Sequence, residues 1–165
     1  MVAAPHTSNW DFILTMAIAW SHDLEPAWLG KKELFAGPGK WFFGALGGVP
    51  VDRENPAGLV DAMVDLAHAG RTTVILVPPE GTRSKQEYWK SGFRRIARGA
   101  DIPVVLSFLD GPTRTGGFGP TLSMTDDVVA DMDAIRAFYA DKVGVKPGRF
   151  TPPLLREEAA VSGPI

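Results

Sequence analysis

The segment TTVILVPPEGTRS, Thr72 to Ser84, joins the most β-prone run of the chain to a loop rich in chemistry. Thr72 to Pro78 is β-branched and apolar, and the following prolines stop it as a strand. A glycine-containing loop at the carboxyl end of a parallel strand presents backbone N–H groups where α/β proteins bind ligands. Arg83 adds a planar fork suited to a phosphate. The plain alternative is a surface turn in which Glu80 and Arg83 pair.

Working outward, β-prone stretches at Ala27–Gly30, Val49–Asp52, Pro103–Leu109 and Thr121–Met124 are each bounded by Gly, Pro or a charge. Helical patterns lie between them. Ser8 with Asp11 three residues later predicts a capping box ahead of FILTMAIAW. Asn55-Pro56 predicts a second start, with Leu59, Met63, Leu66 and Ala67 on one face and Gly70 as the stop. A third pattern runs from Asp126 to Val143. Strands alternating with helices predict an α/β fold, a largely parallel central sheet flanked by helices in a single domain. MVAAP then reads as the tail of a strand, so the expectation is a domain over residues 1–165 that lacks part of its first strand or an N-terminal anchor.

The chain has 165 residues, 45% of them hydrophobic, enough for one domain with a real core. A formal net charge of -2 gives no global attraction to nucleic acid. With no cysteine, a disulfide framework, a thiolate zinc site and a cysteine nucleophile are excluded, and the expected compartment is the cytoplasm. Phe12 to Trp20, the longest apolar stretch, is interrupted by Thr15 and falls well short of the roughly 20 residues that cross a bilayer. Neither a transmembrane span nor an export signal is expected. Trp10 and Trp20 are expected in the core, and KWFFGALGG, Lys40 to Gly48, as an aromatic helix that packs inward, lies on a membrane or lines an acyl tunnel.

His6 and Asp11 form the first chemical pair. With His6 at a strand end and Asp11 in the first helical turn, the carboxylate can reach the imidazole, fix its tautomer and stabilise its protonated form. The bland alternative is that Asp11 only caps the helix. No G-x-S-x-G elbow is present, so the pair points to a base acting on a substrate hydroxyl rather than to a triad. Arg53, closing GGVPVDR, is a second candidate phosphate ligand or a surface arginine paired with Asp52 or Glu54. Lys31 and Lys32 read as a solvated helix start.

HTSNWD, GGVPVDR, PEGTRS and IPVVLSF, in that order, resemble the four sequence blocks of the glycerolipid acyltransferases, the family that includes 1-acylglycerol-3-phosphate acyltransferase. YWKSGFRRIA after the third block is also similar to the family. The resemblance implies a glycerol-3-phosphate acyltransferase-like fold. It implies that His6 and Asp11 are the H-x4-D pair, His6 the general base for the acceptor hydroxyl and Asp11 its orienter. It implies that Arg53 holds the acceptor phosphate, that Glu80, Gly81, Thr82 and Arg83 form the acceptor site and steady the oxyanion, and that Ile102 and Pro103 serve the acyl donor or the structure. Pro5, Val51, Pro78 and Leu106 depart from the family's pattern, which suggests a divergent acceptor site.

The function so implied is transfer of a fatty acyl group from acyl-CoA or acyl-ACP to a phosphate-bearing lysophospholipid. A thioester is already activated, so a base, an oxyanion site and positioning suffice, with no cofactor and no metal. Peripheral contact with the inner face of the membrane through Trp41, Phe42, Phe43 and nearby lysines is expected, and no nucleic-acid partner. Two rivals are a non-catalytic lysolipid- or phosphate-binding protein on the same scaffold and a metal-dependent hydrolase. The second lacks a further cluster of ligands in the sequence.

Overall fold

The computed structural model describes residues 1–5, 7–51, 56–70, 74–82 and 84–161. Six strands form one sheet: β1 (Val2–Ala3), β2 (Pro26–Lys31), β3 (Gly48–Val51), β4 (Val74–Val77), β5 (Val104–Asp110) and β6 (Thr115–Leu122), in spatial order β3-β2-β4-β1-β5-β6. The first five of that order pair in parallel, and β6 closes an antiparallel edge with β5. Six α-helices accompany them: α1 (Asn9–Ser21), α2 (Gly39–Ala45), α3 (Pro56–His68), α4 (Gly92–Gly99), α5 (Val128–Tyr139) and α6 (Arg156–Val161). This is the α/β architecture expected, with MVAAP supplying a central strand.

Side chains alternate across the sheet with period two, and each face builds its own core. Ala3, Ile75, Val77, Val104 and Leu106 point to the face covered by α3, α4 and α5, where Met63, Phe93, Ile96, Met132 and Ile135 meet them. Val2, Ala4 and Leu76 point the other way, to Met16 of α1 and to an aromatic cluster of Phe12, Trp28, Phe35 and Phe43. Phe12 meets Trp28 edge to face with centroids 4.7 Å apart.

Two expectations are corrected. Trp10 and Trp20 are not in the core: they are 63% and 51% exposed. α1 lies on the sheet through Asp11, Met16 and Ala19, and a helix resting on a sheet buries one face only, so its remaining apolar residues face outward. The last strand begins at Thr115, not Thr121. Gly116, Gly117, Gly119 and Pro120 resemble loop residues, yet a Cβ at Gly119 would sit 2.3 Å from the Phe138 ring and one at Gly116 would sit 2.6 Å from Leu109 Cδ2. Close packing requires glycine there, and an edge strand tolerates the proline.

A strap from Val143 to Leu154 crosses back over the sheet ends. Val143 N–H donates to Asp110 Oδ1 at 3.1 Å, Gly111 N–H to Gly144 O at 3.0 Å, and Lys146 N–H to Thr7 Oγ1 at 3.0 Å. Thr151, fully buried, receives Gln86 N–H on its hydroxyl and Trp89 Nε1–H on its carbonyl, both at 3.0 Å. Trp89 is buried edge to face against Phe93 and Tyr139. Trp89→Ala should therefore cost about 4 kcal/mol and lower Tm by roughly 10 °C. Calorimetry giving an unchanged Tm would show that the strap is not anchored through this ring.

Candidate active site

β1 and β4 are neighbours in parallel register, Ala3 beside Val77, and Ala4 N–H still donates to Val77 O at 3.2 Å. Beyond that point the two chains part: β1 feeds α1 on one face of the sheet, and β4 leads through residues 78–82 and 84–91 to α4 on the other. Connections diverging to opposite faces leave a crevice at the carboxyl ends of the strands. Residues 7–11 and residues 78–82 are the two lips of that crevice.

The first lip is held by Asp11. Its Oδ2 accepts the backbone N–H groups of Thr7 and Ser8, each at 2.5 Å, and the Thr7 hydroxyl at 3.3 Å. Ser8, in extended conformation, accepts Trp10 N–H on its Oγ at 3.2 Å, and the predicted capping box between Ser8 and Asp11 is present. A carboxylate in the first turn also complements the positive end of the helix dipole. Asp11 is 1% exposed, and its Oδ1 accepts no hydrogen bond among the described residues. The cap thus occupies one oxygen of the side chain and leaves the other buried without a donor among the described residues. His6, the other half of the pair, lies outside the described residues.

In the second lip, Gly81 N–H donates to Pro78 O at 3.0 Å, closing a turn, and Gly81 has φ +68°. A β-carbon there would press on Lys90 Cγ at 3.3 Å, so both backbone and packing favour glycine. Lys90 N–H ties the turn down through Pro79 O at 2.7 Å. Glu80 is buried, turned into the protein toward Tyr139. Burial holds the Tyr139 hydroxyl well above its ordinary pKa, against the lowering effect of its 2.7 Å bond to Ser107 O, and the Glu80 charge adds to the rise. Of the block's residues, Glu80 supports the loop while Gly81 and Thr82 face the crevice. Arg83 and Arg53 lie outside the described residues. β3 ends at Val51 beside Lys31, two residues before Arg53.

A cavity of about 630 Å³ is lined from α1, β2, α2 and the second lip, within the range of small-molecule sites. Phe12, Trp28, Leu34 and Phe43 make it apolar; Lys31, Gly81 and Thr82 bring the polar groups. Lys31, read from the sequence as a solvated helix start, therefore belongs to the site. The signal for it was positional: it ends β2 at the same edge of the sheet as the other blocks. Among the described residues no cluster of three or more His, Cys, Asp or Glu could hold a metal ion.

The family model named Acyltransferase matches residues 1–106, which takes in the first three blocks and most of the fourth. The chain belongs to the acyltransferase family. Comparison with curated proteins gives no match, nor does comparison with solved structures. Acyl transfer is accordingly the activity of this domain, and the crevice between β1 and β4 is its candidate site. The strap lies beyond the matched residues, yet it touches both lips, at Thr7 and at Gln86 with Trp89. Neither composition nor motif spacing marks such contacts, because they join residues 62 to 139 positions apart.

Asp11→Ala removes the capping carboxylate and leaves buried N–H groups of Thr7 and Ser8 without their acceptor. The expected loss is about 2 kcal/mol, or roughly 5 °C in Tm. Equal unfolding midpoints for the variant and the wild type in urea would show that the carboxylate does not hold this turn.

Proposed function

We propose that this acyltransferase moves a fatty acyl group from a thioester, acyl-CoA or acyl-ACP, to the free hydroxyl of a phosphate-bearing glycerolipid such as 1-acylglycerol-3-phosphate. The observation that carries the proposal is the buried Asp11, whose Oδ2 is spent on the capping box while Oδ1 takes no donor among the described residues. A buried carboxylate oxygen calls for a donor, and an imidazole N–H from His6, five residues earlier, meets that need.

In this mechanism Asp11 accepts one N–H of His6 and holds the other nitrogen as a base. His6 takes the proton of the acceptor hydroxyl as its oxygen attacks the thioester carbonyl. The tetrahedral oxyanion is steadied by the second lip, through Gly81 and Thr82 with Arg83. Collapse breaks the C–S bond, and the imidazolium returns its proton to the departing thiolate. The products are an ester and a free thiol, with no redox change and no cofactor. Arg53 holds the acceptor's phosphate, Glu80 keeps the loop in place, and the apolar wall of the cavity takes an alkyl chain. The setting is cytoplasmic, with both lipid substrates drawn from the inner face of a membrane.

Purified protein with palmitoyl-CoA should release free thiol in a manner dependent on lysophosphatidic acid. His6→Ala, folded by circular dichroism, is expected to lose about 10²–10⁴ in kcat, and Arg53→Ala to act mainly on the acceptor's KM. Near-normal turnover by folded His6→Ala would overturn the mechanism. Saturable lysolipid binding without acyl product from any donor would instead mark a non-catalytic relative.

A further inference from the structure

The strap that braces the crevice also carries positive charge across it. Lys146 and Arg149 open and close one short 3-10 turn. That turn lies between the strap's two anchors, Thr7 on the first lip and Thr151, which holds Gln86. Lys85 precedes Gln86, and Lys90 lays its stem beside Gly81 of the second lip, its own N–H held by Pro79 O. The bond from Gly111 N–H to Gly144 O brings the turn between β5 and β6, with Arg114, to the same end of the sheet.

Segments 84–91, 111–114 and 141–150 carry Lys85, Lys90, Arg114, Lys142, Lys146 and Arg149 against Glu87 and Asp141. Lys142 and Asp141 pair with each other at 2.6 Å, and Glu87 accepts the Tyr88 hydroxyl. The other five cations are exposed and make no ion pair among the described residues. The acids of α6 are engaged elsewhere, Glu158 on Arg136 and Glu157 in a separate cavity beside Asp61 and Arg94. A chain of net charge -2 thus gathers unpaired cations at the mouth of its site. Like charges on one edge repel each other, and the fold gains nothing from them, since these segments are tied down by backbone groups and by Thr7 and Thr151.

We propose that this arc is the docking surface for an acidic carrier protein that presents the acyl thioester, which makes the donor protein-borne. The inference rests on the transfer from a thioester proposed above and names the carrier. Charge complementarity selects a partner with an acidic surface. A nucleotide carrier would need a slot for its phosphates and base, and none of the five cations lines the cavity of about 630 Å³ beside the second lip. A bilayer would need apolar anchors among the cations. Of the large apolar side chains on these segments only Val143 is exposed, at 37%, and the exposed aromatic residues of the molecule lie on α1, α2 and β6. An acidic protein needs only what is present, cations spread over three braced segments. Because the arc touches both lips, a carrier seated on it holds its thioester arm over the crevice.

Binding and turnover read the docking and the reaction separately. Holo-acyl carrier protein, titrated calorimetrically into the full chain without acceptor, should bind, and bind less tightly as salt is raised. Lys146→Glu with Arg149→Glu should keep its Tm, since both side chains are exposed and the strap is held through the Lys146 backbone. It should lower carrier affinity by about 10- to 100-fold. Arg95→Glu, at an exposed cation on α4 outside the arc, should bind as wild type does. With lysophosphatidic acid as acceptor, the double variant should lose a similar factor in kcat/KM for palmitoyl-ACP and none for palmitoyl-CoA. No carrier binding by wild type, or unchanged binding by the double variant, would overturn the inference. So would an equal loss with palmitoyl-CoA, which would mark a nucleotide site, or a double variant that loses phosphatidylglycerol vesicles while keeping the carrier. If neither donor is turned over while salt-sensitive carrier binding persists, the proposed reaction falls and the docking surface stands.

Discussion

One oxygen of one buried carboxylate sets the geometry of this site. Asp11 Oδ2 draws the N–H groups of Thr7 and Ser8 to 2.5 Å, and in doing so turns the chain from strand to helix within five residues. A peptide leaving a parallel strand has spare N–H groups, and a helix start has four more. A single carboxylate inside the bend satisfies donors from both. Charge matters as well as shape: an amide oxygen would accept the same bonds more weakly and would lose the favourable field of the helix terminus.

The bend is in turn braced from outside the family's matched segment. The Thr7 hydroxyl donates to Asp11 and accepts Lys146 N–H, so strap and cap share an atom. A Cβ at Gly144 would lie 2.6 Å from Thr7 Cγ2, and Gly144 has φ +75°; only glycine lets the strap come this close. The same strap ends on Trp89, whose N–H donates to Leu154 O at 2.7 Å. Both lips of the crevice are thereby referred to one stretch of chain, and a shift of either against the other would break bonds buried at Thr151 or Thr7. Such rigidity suits a reaction in which a hydroxyl and a thioester must meet a base at fixed distances.

Much of this was legible before the fold was known. The capping box at Ser8 and Asp11, the helix begun at Pro56, and four of the strands were marked by local chemistry: a cap, a proline, a β-branched run. HTSNWD and PEGTRS named their own place, since each follows directly on a strand, whereas IPVVLSF is a strand itself, with Ile102 and Pro103 ahead of its amino end. What escaped depended on distance. Gly116 and Gly119 look like turn formers until Leu109 and Phe138 are seen against them, and Lys31, exposed as expected, lines the cavity because it ends β2 there. The strap's contacts with Thr7 and Trp89 leave no local trace at all. Trp10 and Trp20 escaped for the opposite reason: large apolar side chains are normally buried, and the sheet had room for only one side of their helix.

That last failure carries the most physical content. Folding requires α1 to be apolar where Met16 and Ala19 meet the sheet and where Phe12 meets Trp28, and it requires nothing of positions 13, 14, 17 and 20 beyond helix propensity. Polar residues there would leave the core intact and lower the cost of exposing hydrocarbon to water, about 25 cal/mol for each Å². The helix is nonetheless apolar on both sides, with its one charge folded under the cap. The inner face of α1 is thus fixed by the sheet and by the turn that Asp11 holds, while its outer apolar stripe is a property that packing within the fold does not account for.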